Sequence, residues 1–223
     1  MNIGIIGAGF IGQAVAQLAL GAGHQVMLSN SRGPHTLSSV VSTLHGAQAG
    51  SVEQAISFAE LILVAIPLNQ YKALPTEQLT GKTVLDANNY YPHRDGHIPA
   101  LDERRTTTSQ LLAEHLPGAT VVKVFNAILA ADLLTDARPA GTYKRRALPV
   151  AGDDASAKVV VSLLLDQLGF DTVDAGGLAN SWRFERAKPA YCIPFDAEGL
   201  RHALAAAERD VELAHGSWRH HTG

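Results

Sequence analysis

The chain has 223 residues and a formal net charge of -3, a length that fits one large α/β domain or a dinucleotide domain with a small appendage. With 46% apolar and 17% charged residues it can bury a core, and its slight acidity gives no reason to expect nucleic acid or an anionic membrane as partner. A single cysteine, Cys192, excludes an internal disulfide. Together with a start lacking a signal-peptide pattern and no apolar run near the roughly 18–20 residues of a membrane span, it gives a cytoplasmic expectation.

The apolar run Ile3 to Ile6 predicts a buried parallel strand. A glycine turn follows, then a helix over Ile11 to Leu20 with Val15, Leu18 and Ala19 on one face, stopped by Gly21 and Gly23. Gln25 to Leu28 predict the second strand. A weaker third lies near Ala47 to Gly50, before a helix opening at Ser51. Leu61 to Ile66, ending at Pro67, and Thr83 to Asp86, ending at Asn88, are two more strands. A polar loop is expected from Asn89 to about Arg105, then a helix over Ser109 to His115 and a strand over Thr120 to Val124. Further strands are predicted at Leu148 to Ala151 and Phe170 to Val173. Between them lies a helix opened by Asp153-Asp154, where acidic residues suit the macrodipole. Beyond Gly176 the pattern is helical, broken at Pro189 and Pro194, with a last helix from Asp196 to Leu213 and a frayed tail Trp218-Arg219-His220-His221.

This alternation predicts an α/β fold: a Rossmann-type, doubly wound, mostly parallel sheet with a small C-terminal α/β extension. The expected division is a dinucleotide-binding region 1–147 and a smaller region 148–223 that supplies the acceptor pocket and dimer contacts. Trp182, Phe184, Tyr191, Ile193 and Phe195 follow the sheet pattern, and that apolar excess predicts a homodimer.

The run Gly7-Ala8-Gly9-Phe10-Ile11-Gly12 sits where a GxGxxG motif has meaning, ending a strand and opening a helix. Gly7 permits the tight turn, Gly9 lets the backbone approach a pyrophosphate, and Gly12 allows close helix–strand packing. The end of the second strand selects the nucleotide. An NAD binder places Asp or Glu there, about 20 residues past the glycines, to hold the ribose 2′-OH. Here the chain reads Ser29-Asn30-Ser31-Arg32-Gly33, without a carboxylate. Ser31 offers a hydrogen bond and Arg32 a charge-assisted contact, which suits the 2′-phosphate of NADP(H). At the other strand ends, Ile66 and Pro67 are expected against the ribose and nicotinamide. Asn88 and Asn126 either orient the carboxamide or the acceptor, or serve as turn residues.

Acid–base groups are poorly marked. Tyr90, Tyr91, His93, Asp95 and His97 share one loop without a compelling pairing, Lys144-Arg145-Arg146 reads as a solvated basic turn, and Cys192 reads as inert. Hydride transfer needs chiefly alignment, so no catalytic residue is assigned and no metal site is expected.

The segments IIGAGFIGQAVA, SNSRG and AGDDASAKVVVSLLLDQLGFDTVDAGGLANSWRFE resemble the NADPH-dependent reductases of the 5-deazaflavin coenzyme F-420, over most of residues 1–187. The resemblance implies that Gly9, Phe10, Ile11, Ser31, Arg32, Ile66 and Pro67 touch NADP. It places a deazaflavin over the nicotinamide near Asn126, Ala127 and Ile128, its anionic tail toward Arg183 or Lys188. The stretch Asn89 to Thr108 and the tail after Pro194 depart from the archaeal enzymes. The cytosolic domain of membrane ferric reductases is similar in build. The expected activity is hydride transfer between NADP(H) and a deazaflavin. The alternatives are an NADPH-dependent flavin, quinone or metal-complex reductase, or a non-catalytic NADPH-sensing protein.

Overall fold

Strands β1 (Asn2–Ile6) and β4 (Leu61–Val64) run parallel at the middle of the sheet, with Ile3 opposite Leu61 and Ile5 opposite Leu63. Side chains of a strand alternate between faces. Thus Ile3, Ile5, Leu61 and Leu63 enter one apolar cluster, while Ile6, Ile62 and Val64 enter a second on the opposite face. Both faces are covered, as a parallel sheet requires.

In this computed structural model, which describes residues 1–214 and 216–217, the remaining strands are β2 (Gln25–Ser29), β3 (Gln48–Ala49), β5 (Thr83–Asp86), β6 (Thr120–Lys123), β7 (Ala147–Gly152) and β8 (Asp171–Asp174). Their order is β3-β2-β1-β4-β5-β6-β7-β8. The first six are mutually parallel, in the doubly wound order that switches direction beside β1. β7 turns antiparallel to β6, and β8 follows parallel to β7. The point expected to divide the chain, residue 148, lies inside β7, and one apolar cluster joins Leu148 and Val150 to Ile5, Leu63 and Leu85.

The helices are α1 (Phe10–Gly21), α2 (Ser38–Thr43), α3 (Val52–Phe58), α4 (Pro92–Asp95), α5 (Pro99–Asp102), α6 (Thr108–His115), α7 (Ala130–Asp136), α8 (Ala155–Leu168) and α9 (Ala197–Ala205). Local chemistry fixes several starts. Ser51 with Gln54, and Thr107 with Gln110, form capping boxes for α3 and α6, and the Asp154 side chain caps α8. Among the described residues no helix is long and apolar enough to cross a membrane.

Several expectations change. The strand expected to reach Ile66 ends at Val64, because the Ile66 N–H donates to the Asn88 side chain. The segment 89–105 holds α4 and α5, stitched by Asp95 on the Tyr91 N–H and by the Tyr90 hydroxyl on Asp102. The last helix stops at Ala205. The buried Lys188 ammonium takes the carbonyls of Glu208, Arg209 and Val211 and holds that chain as a strap. Arg145 and Arg146 are not a solvated turn. Both are buried, Arg145 on Asp166 and Asp171, Arg146 on Asp132 and Asp136. Phe184 and Tyr191 sit in a third apolar cluster with β7 and α9, with Phe195 packed against it. Trp218, Arg219, His220 and His221 lie outside the described residues.

Candidate nucleotide-binding site

The carboxyl ends of β1, β2 and β4 open into a cavity of about 460 Å³. Of the residues singled out in the sequence, Gly7, Gly9, Asn30, Ser31, Arg32, Ile66 and Pro67 line it. Val52, Gln70 and Leu74 complete the wall. They carry no motif: Val52 comes from the start of α3, and Gln70 and Leu74 come in where the 67–74 stretch folds over the strand ends. Among the described residues no carboxylate lines the cavity, and Arg32 is its charged residue.

The glycines act by shape. Gly7 has φ +112, and a Cβ there would meet the Ala65 carbonyl oxygen at 2.2 Å. A Cβ on Gly12 would meet the Gly7 carbonyl oxygen at 2.0 Å, so α1 can start this close to β1 only with glycine there. A Cβ on Gly9 would meet nothing within 4 Å, which leaves that approach open toward the cavity. α1 has Gly9 as N-cap, no side-chain cap and no acidic residue in its first turn. Its first amides therefore keep free N–H groups and the positive end of the helix dipole at the cavity. Phe10 stands at this rim, 86% exposed, and Ile11 is partly buried; neither lines the cavity.

The turn after β2 is locked. The Asn30 side-chain oxygen accepts the Arg32 backbone N–H at 2.9 Å, Asn30 donates to the Thr36 hydroxyl, and Thr36 donates to the Gly33 carbonyl. Ser29, buried beneath, donates to the Ile5 carbonyl across the strand pair. The Arg32 and Ser31 side chains are exposed and project from a fixed base.

Asn88, Asn126 and Ala127 fall outside this cavity. Asn88 is 2% exposed and supports the wall, its side-chain oxygen accepting the Ile66 N–H at 2.9 Å. Asn126 donates to the Phe184 carbonyl and the Asn89 side chain. Phe125, Ala127 and Ile128 are between 1% and 4% exposed, so the expected floor for an acceptor ring is packed interior. Arg183 donates to the Leu204 and Ala207 carbonyls and Lys188 holds the strap, so both are engaged away from this turn.

Behind Asn88 lies a buried charged group that no sequence motif marks. Lys123 and Asp86 are cross-strand partners, both 0% exposed, paired at 3.1 Å. Lys123 also donates to the Asn88 carbonyl at 2.5 Å and the Thr108 hydroxyl at 2.7 Å, while Asp86 accepts from Ser109 and from the Asn88 N–H. The signal was present in the sequence: one charge inside Val121-Val122-Lys123-Val124 and another closing Val84-Leu85-Asp86. A buried charge of this kind needs a partner. Cys192, expected to be inert, is buried, and burial pushes its thiol up to about 12. Among the described residues no cluster of three or more His, Cys, Asp or Glu is placed to hold a metal.

Comparison with known proteins bears on this geometry. The family model described as NADP oxidoreductase, coenzyme F420-dependent, matches residues 2–90, the stretch that builds most of the cavity. The hypothetical protein SMa0349 of Sinorhizobium meliloti is 32% identical, with a TM-score of 0.70 over 81% of this chain and 87% of that one. A proposed F420-dependent NADP reductase from Arthrobacter sp. FB24 is 26% identical, with the same TM-score and coverage. Metalloreductase STEAP3 of Rattus norvegicus is 31% identical over 202 residues, 86% of this chain. The chain spans about half or less of the curated relatives it matches, 38% of that metalloreductase. The matched motif, the strand order and these relatives agree, and the chain belongs to the family of coenzyme F420-dependent NADP oxidoreductases.

Proposed function

We propose that the cavity at the ends of β1, β2 and β4 binds NADP(H), and that the chain is an NADPH-dependent oxidoreductase. The observation that carries this reading is the turn Asn30-Ser31-Arg32. It presents a guanidinium and a hydroxyl to the same cavity as the glycine turn, and among the described residues no carboxylate lines the wall to repel a 2′-phosphate. Arg32 and Ser31 would hold that phosphate, the free amides at the start of α1 the pyrophosphate, and Ile66 and Pro67 the flat apolar faces. Asn88 keeps the Ile66 wall in place from behind. When bound, NADPH supplies a hydride from its nicotinamide ring. The chain's part is to orient that ring and keep water from it. No side chain near the cavity is assigned as acid or base.

For the acceptor, we infer a deazaflavin of the coenzyme F-420 type, supported by the family match and the Arthrobacter relative. A metal-complex acceptor is the second reading, favoured by the 31% identity to the rat metalloreductase over 86% of this chain. Calorimetric titration of the chain with NADP⁺ and NAD⁺ tests the nucleotide assignment. At least tenfold tighter binding of NADP⁺ is expected, and equal affinities would remove the role given to Arg32.

A further inference from the structure

A second cavity, of about 410 Å³, shares no lining residue with the nucleotide cavity. Three stretches build it: the segment carrying α4 and α5, the turn Trp182 to Lys188, and the C-terminal strap. Apart from Tyr90 they lie beyond the region that the family model matches. Pro92, Leu101 and Trp182 give it an apolar wall.

Its charges are unevenly satisfied. Among the described residues three carboxylates line it, Asp102, Glu185 and Glu212. Asp102 accepts from the Tyr90 hydroxyl at 2.7 Å. Glu185 accepts from the Thr108 N–H at 2.9 Å and the Thr108 hydroxyl at 2.6 Å. Glu212 is left to face the guanidiniums, at 3.3 Å from Arg104 and 3.9 Å from Arg186. A well-formed charge-assisted hydrogen bond lies at about 2.7–2.9 Å, so both contacts are loose. Arg186 is the telling residue. Its side chain is 27% exposed, and among the described residues its one polar contact is that 3.9 Å pair. A planar fork of five donors is therefore turned into the cavity with almost nothing to bind.

The strap puts Glu212 there. The Lys188 ammonium, its pKa lowered by burial, donates to three strap carbonyls at 2.6–2.9 Å, and Arg209 donates twice to the Arg104 carbonyl. These backbone bonds do not depend on the Glu212 carboxylate. That side chain is 49% exposed and can swing out with the strap still in place, and exposed pairs at such distances contribute little.

We propose that this cavity is a second ligand site for an organic anion, a carboxylate or phosphate ester with an apolar body, whose charged end displaces Glu212 from between Arg104 and Arg186. The apolar body lies against Pro92, Leu101 and Trp182, the apolar side chains of a lining whose other members are polar or charged and supply the anchors. This site does not rest on the nucleotide assignment.

Fluorescence anisotropy of three naphthalene probes tests it on the full chain. The probes are 1-naphthyl phosphate, 1-naphthoate and neutral 1-naphthol. At least one of the two anions is expected to bind tenfold or more tightly than naphthol, and the better of the two identifies phosphate or carboxylate as the natural group. Arg186→Gln should erase most of that preference; it breaks no hydrogen bond, so the fold is retained. Glu212→Gln should act oppositely and tighten anion binding several-fold by removing the internal competitor. Arg32→Ala, in the other cavity, should change nothing. The proposal is overturned if naphthol binds as tightly as both anions, if Glu212→Gln fails to tighten binding, or if Arg32→Ala abolishes it.

Discussion

Replacing Arg32 by alanine removes the charged side chain of the nucleotide cavity and little else. The turn stays closed, because the bond from the residue 32 backbone N–H to Asn30 needs no side chain at position 32. A hydrogen bond to a charged group is worth about 1.5–3 kcal/mol, or roughly 10- to 150-fold in affinity. Arg32 is exposed in the free chain, so solvent and salt screen it and the loss should fall toward the lower end, about 10- to 30-fold for NADPH. NADH lacks the 2′-phosphate, and its affinity should change by less than about twofold. Calorimetry at two salt concentrations reads both numbers, and the native preference for NADPH should shrink as salt rises. An equal loss for both nucleotides would mean that Arg32 supports the turn and does not read the phosphate.

Other outcomes follow from the same structure. Gly12→Ala forces a Cβ onto the Gly7 carbonyl oxygen at 2.0 Å; about 1–3 kcal/mol of stability should be lost in urea unfolding, along with NADPH binding. Lys123→Met leaves the fully buried Asp86 without its counter-charge, and a loss of about 3–5 kcal/mol is expected. Pairing it with Asp86→Asn should recover part of that loss, and a fully additive double variant would contradict the coupling. The Cys192 thiol, raised to about 12 by burial, should resist alkylation at pH 8 until denaturant is added. Its folded pKa lies above the unfolded value of about 8.5. Its contribution to stability is therefore complete below that pH and lost as pH climbs toward 12.

What the sequence shows plainly is what neighbouring residues decide. The strand Ile3 to Ile6, the turn at Gly7, and the exchange of a carboxylate for Ser31 and Arg32 are local patterns, and the structure gathers Gly7, Gly9, Asn30, Ser31 and Arg32 at one cavity. Features made by distant segments were hidden. Phe125 to Ile128 have the composition of a pocket floor and become interior only because the 184–192 stretch folds over them, donating the Cys192 N–H to the Ala127 carbonyl. Arg145 and Arg146 look solvated until α7 and α8 supply their carboxylates. α7 itself buries a single residue, Leu133, too little for a periodic signal. The last helix loses its final turns to Lys188, a residue about 20 positions earlier, which no local helix propensity registers.

Turnover decides whether this chain oxidises NADPH. The purified chain is mixed with NADPH or NADH and one acceptor at a time: the deazaflavin, a flavin, a quinone or a ferric chelate. Loss of the reduced nicotinamide absorbance is followed. Steady oxidation of NADPH with the deazaflavin is expected, with much slower oxidation of NADH and loss of that difference in Arg32→Ala. Turnover with the ferric chelate alone would put the second acceptor reading first. Tight NADPH binding with no oxidation by any acceptor would contradict that expectation and leave a nucleotide sensor in its place.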